Sequence, residues 1–205
     1  MAAFRFTILG VAILFVVSPT WSQNLVSNPD FDSDVTGWPP LSQASIVWAS
    51  LDSSGSPVSG SAMVTNLSTT AHDGTGARQC INGLTGGQNY RVAADILIPS
   101  GQSESGDAYI LVQWYDQPGC SSGFLGLFER PKILTSTPDI WYTSASTGEA
   151  PPGTLAARFR LSITKQEAFG MVDAHFDHVI MEPALFADGF ESSDTSAWST
   201  VVGGV

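Results

Sequence analysis

The residues best suited to chemistry stand in an acidic stretch between Asn24 and Trp38. Three carboxylates, Asp30, Asp32 and Asp34, fall within five positions. Carboxylates this close repel one another unless they point into water or share a cation, and Ca²⁺ prefers oxygen ligands of this kind. The stretch is therefore interpreted as a short opening strand followed by an acidic loop that a hard cation could hold.

A second set of polar and aromatic side chains alternates with apolar residues along predicted strands at 90–98, 109–116 and 155–164. Because successive strand residues face opposite sides of a sheet, each strand has an apolar side for the core and a second side for solvent or a ligand. Sugars are bound by aromatic rings and by planar amide, carboxylate and guanidinium groups. The second sides supply these types in Arg91, Asp95, Tyr109, Gln113, Tyr115, Arg158 and Arg160. If the strands are neighbours, these residues form one concave binding face; the alternative is an ordinary solvated sheet face.

A third cluster lies in the last predicted strand, where Asp173, His175 and Asp177 alternate onto one side and His178 faces the other. A histidine between carboxylates can hold zinc or act as a base. The remaining histidine, His72, is far away in sequence, so the polar side of an edge strand is the preferred interpretation. The sequence has no Gly-x-Ser-x-Gly or His-Glu-x-x-His motif, and no catalytic residue is predicted.

The elements that position these residues are short strands. Gly (20) and Pro (12) recur throughout the chain, and no convincing amphipathic helix is present. Short alternating runs separated by turn residues are typical of an all-β, two-sheet antiparallel sandwich. The other predicted strands lie at 25–26, 45–50, 61–67, 78–81, 140–142 and 170–181.

The chain divides into three predicted parts. Residues 1–22 have the features of a secretory signal peptide, with Arg5 before an apolar run at 7–17 that is too short to span a bilayer. Residues 23–183 form the sandwich, and 184–205 form an acidic C-terminal tail. A net charge of −11 and a pI near 4.3 argue against binding to nucleic acid. Cys80 and Cys120 favour a disulfide in an exported chain, with two buried thiols as the alternative.

Several motifs resemble those of non-catalytic carbohydrate-binding modules of families four, nine and twenty-two, which are galactose-binding-like β-jelly rolls. The segments that carry the resemblance are 28–32 with Gly37-Trp38, 86–92, 140–142 with 150–154, and 176–179, and together they cover roughly residues 24 to 182. The tail at 188–198 resembles a short D-G-F-E-S-G-D-T-S-x-W segment found in exported bacterial proteins.

The resemblance implies a structural Ca²⁺ held by Asp32 of the opening loop and Asp177 of the closing strand. It also implies a secreted, non-catalytic module that binds a polysaccharide or oligosaccharide on the concave face described above. A first alternative is an extracellular or envelope structural or adhesion protein, with the sandwich as a spacer and the tail as the contact to a surface partner. A second alternative is an enzyme that acts on polysaccharides, because a fold does not fix a function.

Overall fold

The computed structural model describes residues 23–129, 132–134 and 136–184. The predicted signal peptide and the tail beyond Ala184 lie outside the described residues. The described strands are β1 (Ala44–Ala49), β2 (Ser61–Asn66), β3 (Gly74–Asn82), β4 (Asn89–Leu97), β5 (Gly106–Tyr115), β6 (Phe124–Glu129), β7 (Ile133–Leu134), β8 (Tyr142–Glu149), β9 (Ala156–Lys165) and β10 (Val172–Pro183).

The strands form two antiparallel sheets. The first sheet has the order β1-β2-β10-β4-β8, and the second has the order β3-β9-β5-β6, with β7 also paired to β5. All regular structure in the described residues is β, which confirms the predicted two-sheet antiparallel sandwich. The described residues contain no helix that is long and apolar enough to cross a membrane.

The core lies between the sheets and is built from the apolar sides that alternation predicts. The fully buried side chains of three strands include Val92, Ala94 and Ile96 of β4, Ile110 and Val112 of β5, and Ala157, Phe159, Leu161 and Ile163 of β9. Leu155, the first residue of the predicted strand at 155–164, precedes β9 and is 46% exposed, so it does not join this row. Burial of each large side chain contributes about 1.5–3 kcal/mol, so these inward rows fix which side of each strand faces out.

The opening segment is anchored to this core by two aromatic residues. Phe31 and Trp38 are 0% and 1% exposed. Their ring centroids are 5.8 Å apart, and Trp38 meets Phe159 edge-on at 6.1 Å. The indole N–H of Trp38 donates to the carbonyl oxygen of Ser27 at 3.2 Å, so its polar atom is satisfied inside the protein. These contacts hold the acidic loop between the two rings against the sandwich.

Both ends of the described domain meet at the end of β10. The backbone N–H of Leu25 donates to the carbonyl oxygen of Met181 at 2.7 Å, where the sequence predicted the opening strand. The backbone N–H of Met181 donates to Oδ1 of Asn24 at 3.0 Å. Three residues after Met181, the N–H of Ala184 donates to the carbonyl oxygen of Asn89 at 2.9 Å. The chain therefore enters and leaves the sandwich at one place.

Candidate functional site

The outer face of the second sheet brings together the predicted binding residues of β5 and β9. Gln113 lies directly opposite Arg158 in the antiparallel register. Arg158 Nη1 donates to Gln113 Oε1 across the strands at 3.5 Å. Arg160 lies on the same side of β9, and Tyr109 and Tyr115 lie on the same side of β5, because alternate residues share a face. Five of the seven predicted residues thus share one surface.

The two tyrosine rings on this surface are covered. Tyr109 and Tyr115 are each 5% exposed. The Arg158 guanidinium lies 5.2 Å from the Tyr115 ring centroid, and Lys132 Nζ lies 4.6 Å from that of Tyr109. An open ring is supplied instead by Phe124, which is 54% exposed and packs edge-on against Tyr115 at 5.9 Å. The tyrosines therefore support their neighbours, contrary to the expectation of open ring faces, and Phe124 is the ring that a ligand can reach.

Arg91 and Asp95 do not belong to this surface. Both lie on β4, which is a strand of the first sheet, between β10 and β8. Arg91 Nη1 is 2.9 Å from Glu182 Oε1, and Asp95 Oδ1 accepts a hydrogen bond from Thr143 Oγ1 at 2.5 Å. The expectation of one continuous face for all seven residues is thus wrong, because alternation gives the side of a strand but not the sheet that the strand joins.

The predicted disulfide lies at one end of this outer face. Cys80 of β3 is bonded to Cys120 in the loop between β5 and β6, with Cα atoms 5.9 Å apart. The backbone N–H of Gly119 donates to Asn82 Oδ1 at 2.8 Å, and Arg158 Nη2 donates to the carbonyl oxygen of Cys120. The loop is thereby held across β9, against both of its neighbouring strands.

A groove of about 560 Å³ lies beside this loop. Its walls include Gly37 and Pro39 of the opening segment on one side and residues 119–121 of the disulfide loop on the other. Arg78 and Arg158 also line it. The groove gives the outer face of the second sheet a concave region with guanidinium donors, as the recognition of a polar ligand requires.

Arg78 also lies on this outer face, and its place there was not predicted from the sequence. It lies directly opposite Arg160 in the pairing of β3 with β9. Arg160 Nη2 donates to the carbonyl oxygen of Gly74 at 3.1 Å. Burial lowers the pKa of the Arg160 guanidinium, and the positive charges of Arg158 and Arg78 act in the same direction. Arg78 opens the predicted strand at 78–81, but a single sequence does not show which strand lies next to it.

The predicted acidic residues line a second pocket, of about 270 Å³, at another place on the molecule. Asp32 and Asp177, which are far apart in sequence, both line it, together with Asp30, Asp52 and His178. His178 Nδ1 lies 3.0 Å from Asp30 Oδ1. The structure therefore brings the predicted pair of metal ligands to one site.

Asp177 is the most buried carboxylate of this acidic pocket. It is 2% exposed. Its Oδ2 accepts from the backbone N–H of Ser53 and its Oδ1 from that of His178, both at 2.8 Å. Burial nevertheless raises the pKa of Asp177 above its ordinary value, because the charged form is poorly solvated there. A cation beside this carboxylate would favour its charged form.

The donor set of the acidic pocket fits a hard cation by its chemistry, since the carboxylates of Asp32 and Asp177 offer oxygen. Among the residues that the structure describes, no group of three or more acidic, histidine or cysteine side chains is arranged to hold one metal ion. Backbone carbonyl and hydroxyl oxygens would have to complete the coordination. The calcium site remains a prediction.

The histidine cluster lies on a central strand of the first sheet. Its strand, β10, lies between β2 and β4, so the expectation of an edge strand is wrong. His175 is 7% exposed, and its Nδ1 is 2.9 Å from Ser61 Oγ. Asp173 Oδ1 accepts from Thr65 Oγ1 at 2.5 Å. Burial lowers the pKa of His175, while the charge of Asp173 opposes this effect. These polar contacts join neighbouring strands and stabilise the sheet.

The two antiparallel sheets make the protein a β-sandwich, and solved carbohydrate-binding modules share this fold. A structure from Clostridium thermocellum Xyn10B, its C-terminal family 22 carbohydrate-binding module, matches with a TM-score of 0.58 and 16% identity over 80% of this chain and 92% of that chain. The CBM22-1 xylan-binding domain of Paenibacillus barcinonensis Xyn10C matches with a TM-score of 0.58 and 13% identity over 81% of this chain and 97% of that chain. The predicted resemblance is thus confirmed as a shared fold.

Larger proteins contain the same fold as one part. The CBM22-1 and GH10 modules of C. thermocellum Xyn10B in complex with xylohexaose match with a TM-score of 0.55 and 16% identity, covering 79% of this chain but 28% of that chain. No protein-family model matches the sequence, and no curated protein matches it. At these identities the similarity describes the fold, and the function has to be argued from the site.

Proposed function

We propose that this protein is a secreted, non-catalytic carbohydrate-binding module that holds a glycan on the outer face of the second sheet. The observation that carries the proposal is the pairing of Gln113 with Arg158 beside a groove of about 560 Å³. The fold supports the same conclusion, because isolated carbohydrate-binding modules match this chain over 92% and 97% of their length.

The side chains of the surface divide into three roles. Gln113, Arg158 and Arg160 present amide and guanidinium groups to sugar hydroxyls. The exposed ring of Phe124 offers an apolar face to the C–H side of a sugar. Tyr115 supports Phe124 and the Arg158 guanidinium, whereas Tyr109 lies beneath Lys132. Because a shallow groove leaves much of a glycan in water, we expect dissociation constants of about millimolar to micromolar.

Two further parts of the proposal concern the surroundings of the module. The disulfide between Cys80 and Cys120 supports an oxidising compartment, in agreement with the predicted signal peptide.

We also propose that Asp32 and Asp177 hold a structural Ca²⁺, which would neutralise the carboxylates of the acidic pocket and fix the opening loop to β10. Calcium would therefore act on stability, at a distance from the glycan surface.

The test is binding of the secreted protein to a glycan array, followed by titration of the best ligand. Gln113→Ala and Phe124→Ala should each weaken binding by about 0.5–1.5 kcal/mol, which is the usual contribution of a polar contact and of an aromatic contact. Phe169→Ala is the matched control, since Phe169 is 80% exposed and follows the opposite end of β9 from Phe124. Deletion of residues 185–205 should leave glycan binding unchanged, whereas association with a surface partner through the tail would be lost.

Two results would contradict the proposal. The first is the absence of binding to every glycan tested, or binding that Gln113→Ala and Phe124→Ala leave unchanged. The second is the release of reducing sugars from a polysaccharide, which would show that the protein is an enzyme.

A further inference from the structure

Positive charge is scarce in this protein and is concentrated on the proposed binding surface. The whole chain has eight lysine and arginine residues against nineteen aspartate and glutamate residues. Three of the eight, Arg78, Arg158 and Arg160, share the outer face of β3 and β9 and are here called the arginine cluster. An acidic protein that places three of its few cations on one face is not explained by solubility, because acidic residues already supply that.

The arrangement of the arginine cluster is unfavourable for the protein alone. Arg78 lies directly opposite Arg160, and like charges in directly opposed positions of a sheet destabilise it. Within the described residues, none of the three guanidinium groups forms an ion pair with a carboxylate. The other described arginine, Arg91, does form one, with Glu182. The cluster therefore carries positive charge that the described part of the protein leaves uncompensated.

Several donors of this face also lack partners. Arg160 Nε and the hydroxyl of Ser162 are buried and have no hydrogen-bond partner among the described residues. The side chain of Arg78 makes no hydrogen bond within the same part of the chain, while its backbone N–H donates to Pro39 at 3.1 Å. Buried polar groups are normally paired, so Arg160 Nε and the Ser162 hydroxyl are exceptions. Arg78 lines the groove, and its unpaired guanidinium is available to a ligand there.

We propose that the groove binds glycans that carry negatively charged groups, the carboxylates of uronic acid residues or sulfate esters, through the arginine cluster. This inference rests on the proposed function and names the class of glycan. The guanidinium group is planar and always charged, and it can donate two parallel hydrogen bonds to one carboxylate or sulfate. Gln113 and the ring of Phe124 bind the uncharged parts of the same chain.

The net negative charge of the whole protein does not prevent the binding of an anionic glycan in the groove. At physiological ionic strength the screening length is about 8 Å, so carboxylates elsewhere on the surface are largely screened from a ligand in the groove. The nearby arginine cluster dominates the local potential. Binding of an anionic glycan should therefore weaken as salt is added, whereas binding of a neutral glycan through hydrogen bonds and stacking should change little.

The experiment is isothermal titration of the whole secreted protein with three probes at two salt concentrations. The probes are hexagalacturonate, the same hexasaccharide with its carboxylates methyl-esterified, and a sulfated heparin hexasaccharide. We expect hexagalacturonate or the sulfated probe to bind at least about tenfold tighter than the methyl ester, since one charge-assisted contact is worth about that much. The difference between the two anionic probes identifies which charged group the site prefers.

The variants test whether binding depends on positive charge on this face or on positive charge anywhere on the protein. Arg78→Gln should weaken the binding of the anionic probe about tenfold. Arg78→Lys should retain part of the affinity because it keeps the positive charge. The fold should tolerate both changes, because the Arg78 side chain makes no hydrogen bond within the described residues. Arg91→Gln removes the same charge from the other sheet and is the control, with an expected change below about twofold.

The outcomes distinguish this inference from the proposed function. If neither hexagalacturonate nor the sulfated probe binds tighter than the methyl ester, or if Arg78→Gln and Arg91→Gln weaken the tighter anionic probe equally, the inference is overturned and a neutral-glycan module is left. No binding of these probes or of any neutral glycan would overturn both.

Discussion

Removal of the disulfide between Cys80 and Cys120 should lower stability by an amount that follows from its loop. The two residues are separated by 40 positions. In the chain-entropy treatment, a cross-link of this length removes about 4 kcal/mol of conformational freedom from the unfolded chain. For a domain of this size, each kcal/mol corresponds to about 2–4 °C, so the melting temperature should fall by about 8–16 °C.

The assay is thermal unfolding of the Cys80→Ala/Cys120→Ala double variant beside the parent protein. Alanine is used because Cys120 is 1% exposed, and a serine hydroxyl there would be buried without an assured partner. Reductant should lower the melting temperature of the parent and leave that of the double variant unchanged. A fall of less than about 3 °C on reduction would refute the entropy argument.

The same variant has a second consequence at the binding surface. The disulfide holds the loop at 119–121 beside the groove and positions the Cys120 carbonyl oxygen that accepts from Arg158. Once the loop is released, Arg158 loses the Cys120 carbonyl oxygen as a fixed hydrogen-bond acceptor, and its side chain gains conformational freedom. We therefore expect weaker glycan binding even at temperatures where the variant is fully folded, and unchanged affinity would show that the loop has no part in the site.

Three further predictions concern the sandwich itself. Ca²⁺ should raise the melting temperature of the parent protein, and Asp177→Asn should remove that increase, because the buried carboxylate would supply charged oxygen to the ion. The pKa of His175 is depressed below its ordinary 6.5, so the native state binds fewer protons than the unfolded state and stability should decline as the pH falls below about 6.5. His175→Gln should make this decline shallower in melting curves between pH 7 and 5. Gly76→Ala should destabilise by about 2–4 kcal/mol in denaturant titrations, because the added Cβ would lie 1.8 Å from the carbonyl oxygen of Leu161.

Each of these predictions has a direct control. Mg²⁺ in place of Ca²⁺ should give a smaller effect, since it requires a stricter octahedral site, and an equal effect would argue against a calcium site. The raised pKa of Asp177 has the opposite effect on the pH dependence, because protonation of Asp177 at low pH favours the native state. The His175→Gln variant and the parent share this contribution, so the two are compared at each pH. Parallel curves of melting temperature against pH would contradict the prediction. Gly126→Ala places its Cβ in open space and should be nearly neutral.

The faces of single strands could be predicted from the sequence because alternation is local. Ile110 and Val112 are buried and Gln113 faces outward, as the pattern in β5 required. The membership of a strand in one sheet or the other depends on its crossovers, which leave no local signal. For this reason Arg91 and Asp95 were assigned to the wrong surface, although their side of β4 was right.

The covering of the tyrosines and the edge strand β6 could not be predicted either. Tyr115 is covered in part by Phe124, and residues 124–128 follow a Ser-Ser-Gly turn and contain Gly126, which obscures the alternation of a strand. The role of Arg78 depends on the pairing of β3 with β9 over a long sequence separation. Long-range pairing and loop placement thus limit what one sequence can reveal about a surface.

Because both ends of the described domain meet at the end of β10, the sandwich can be inserted into other proteins as a unit. Leu25 and Ala184 are hydrogen-bonded to residues at the same rim, so a host protein could accept the whole unit within one of its own surface loops without stretching that loop. The same geometry permits circular permutants, in which the old ends are joined by a short linker and new ones are opened in an exposed turn. Such permutants would present the groove to a ligand from a different point of attachment.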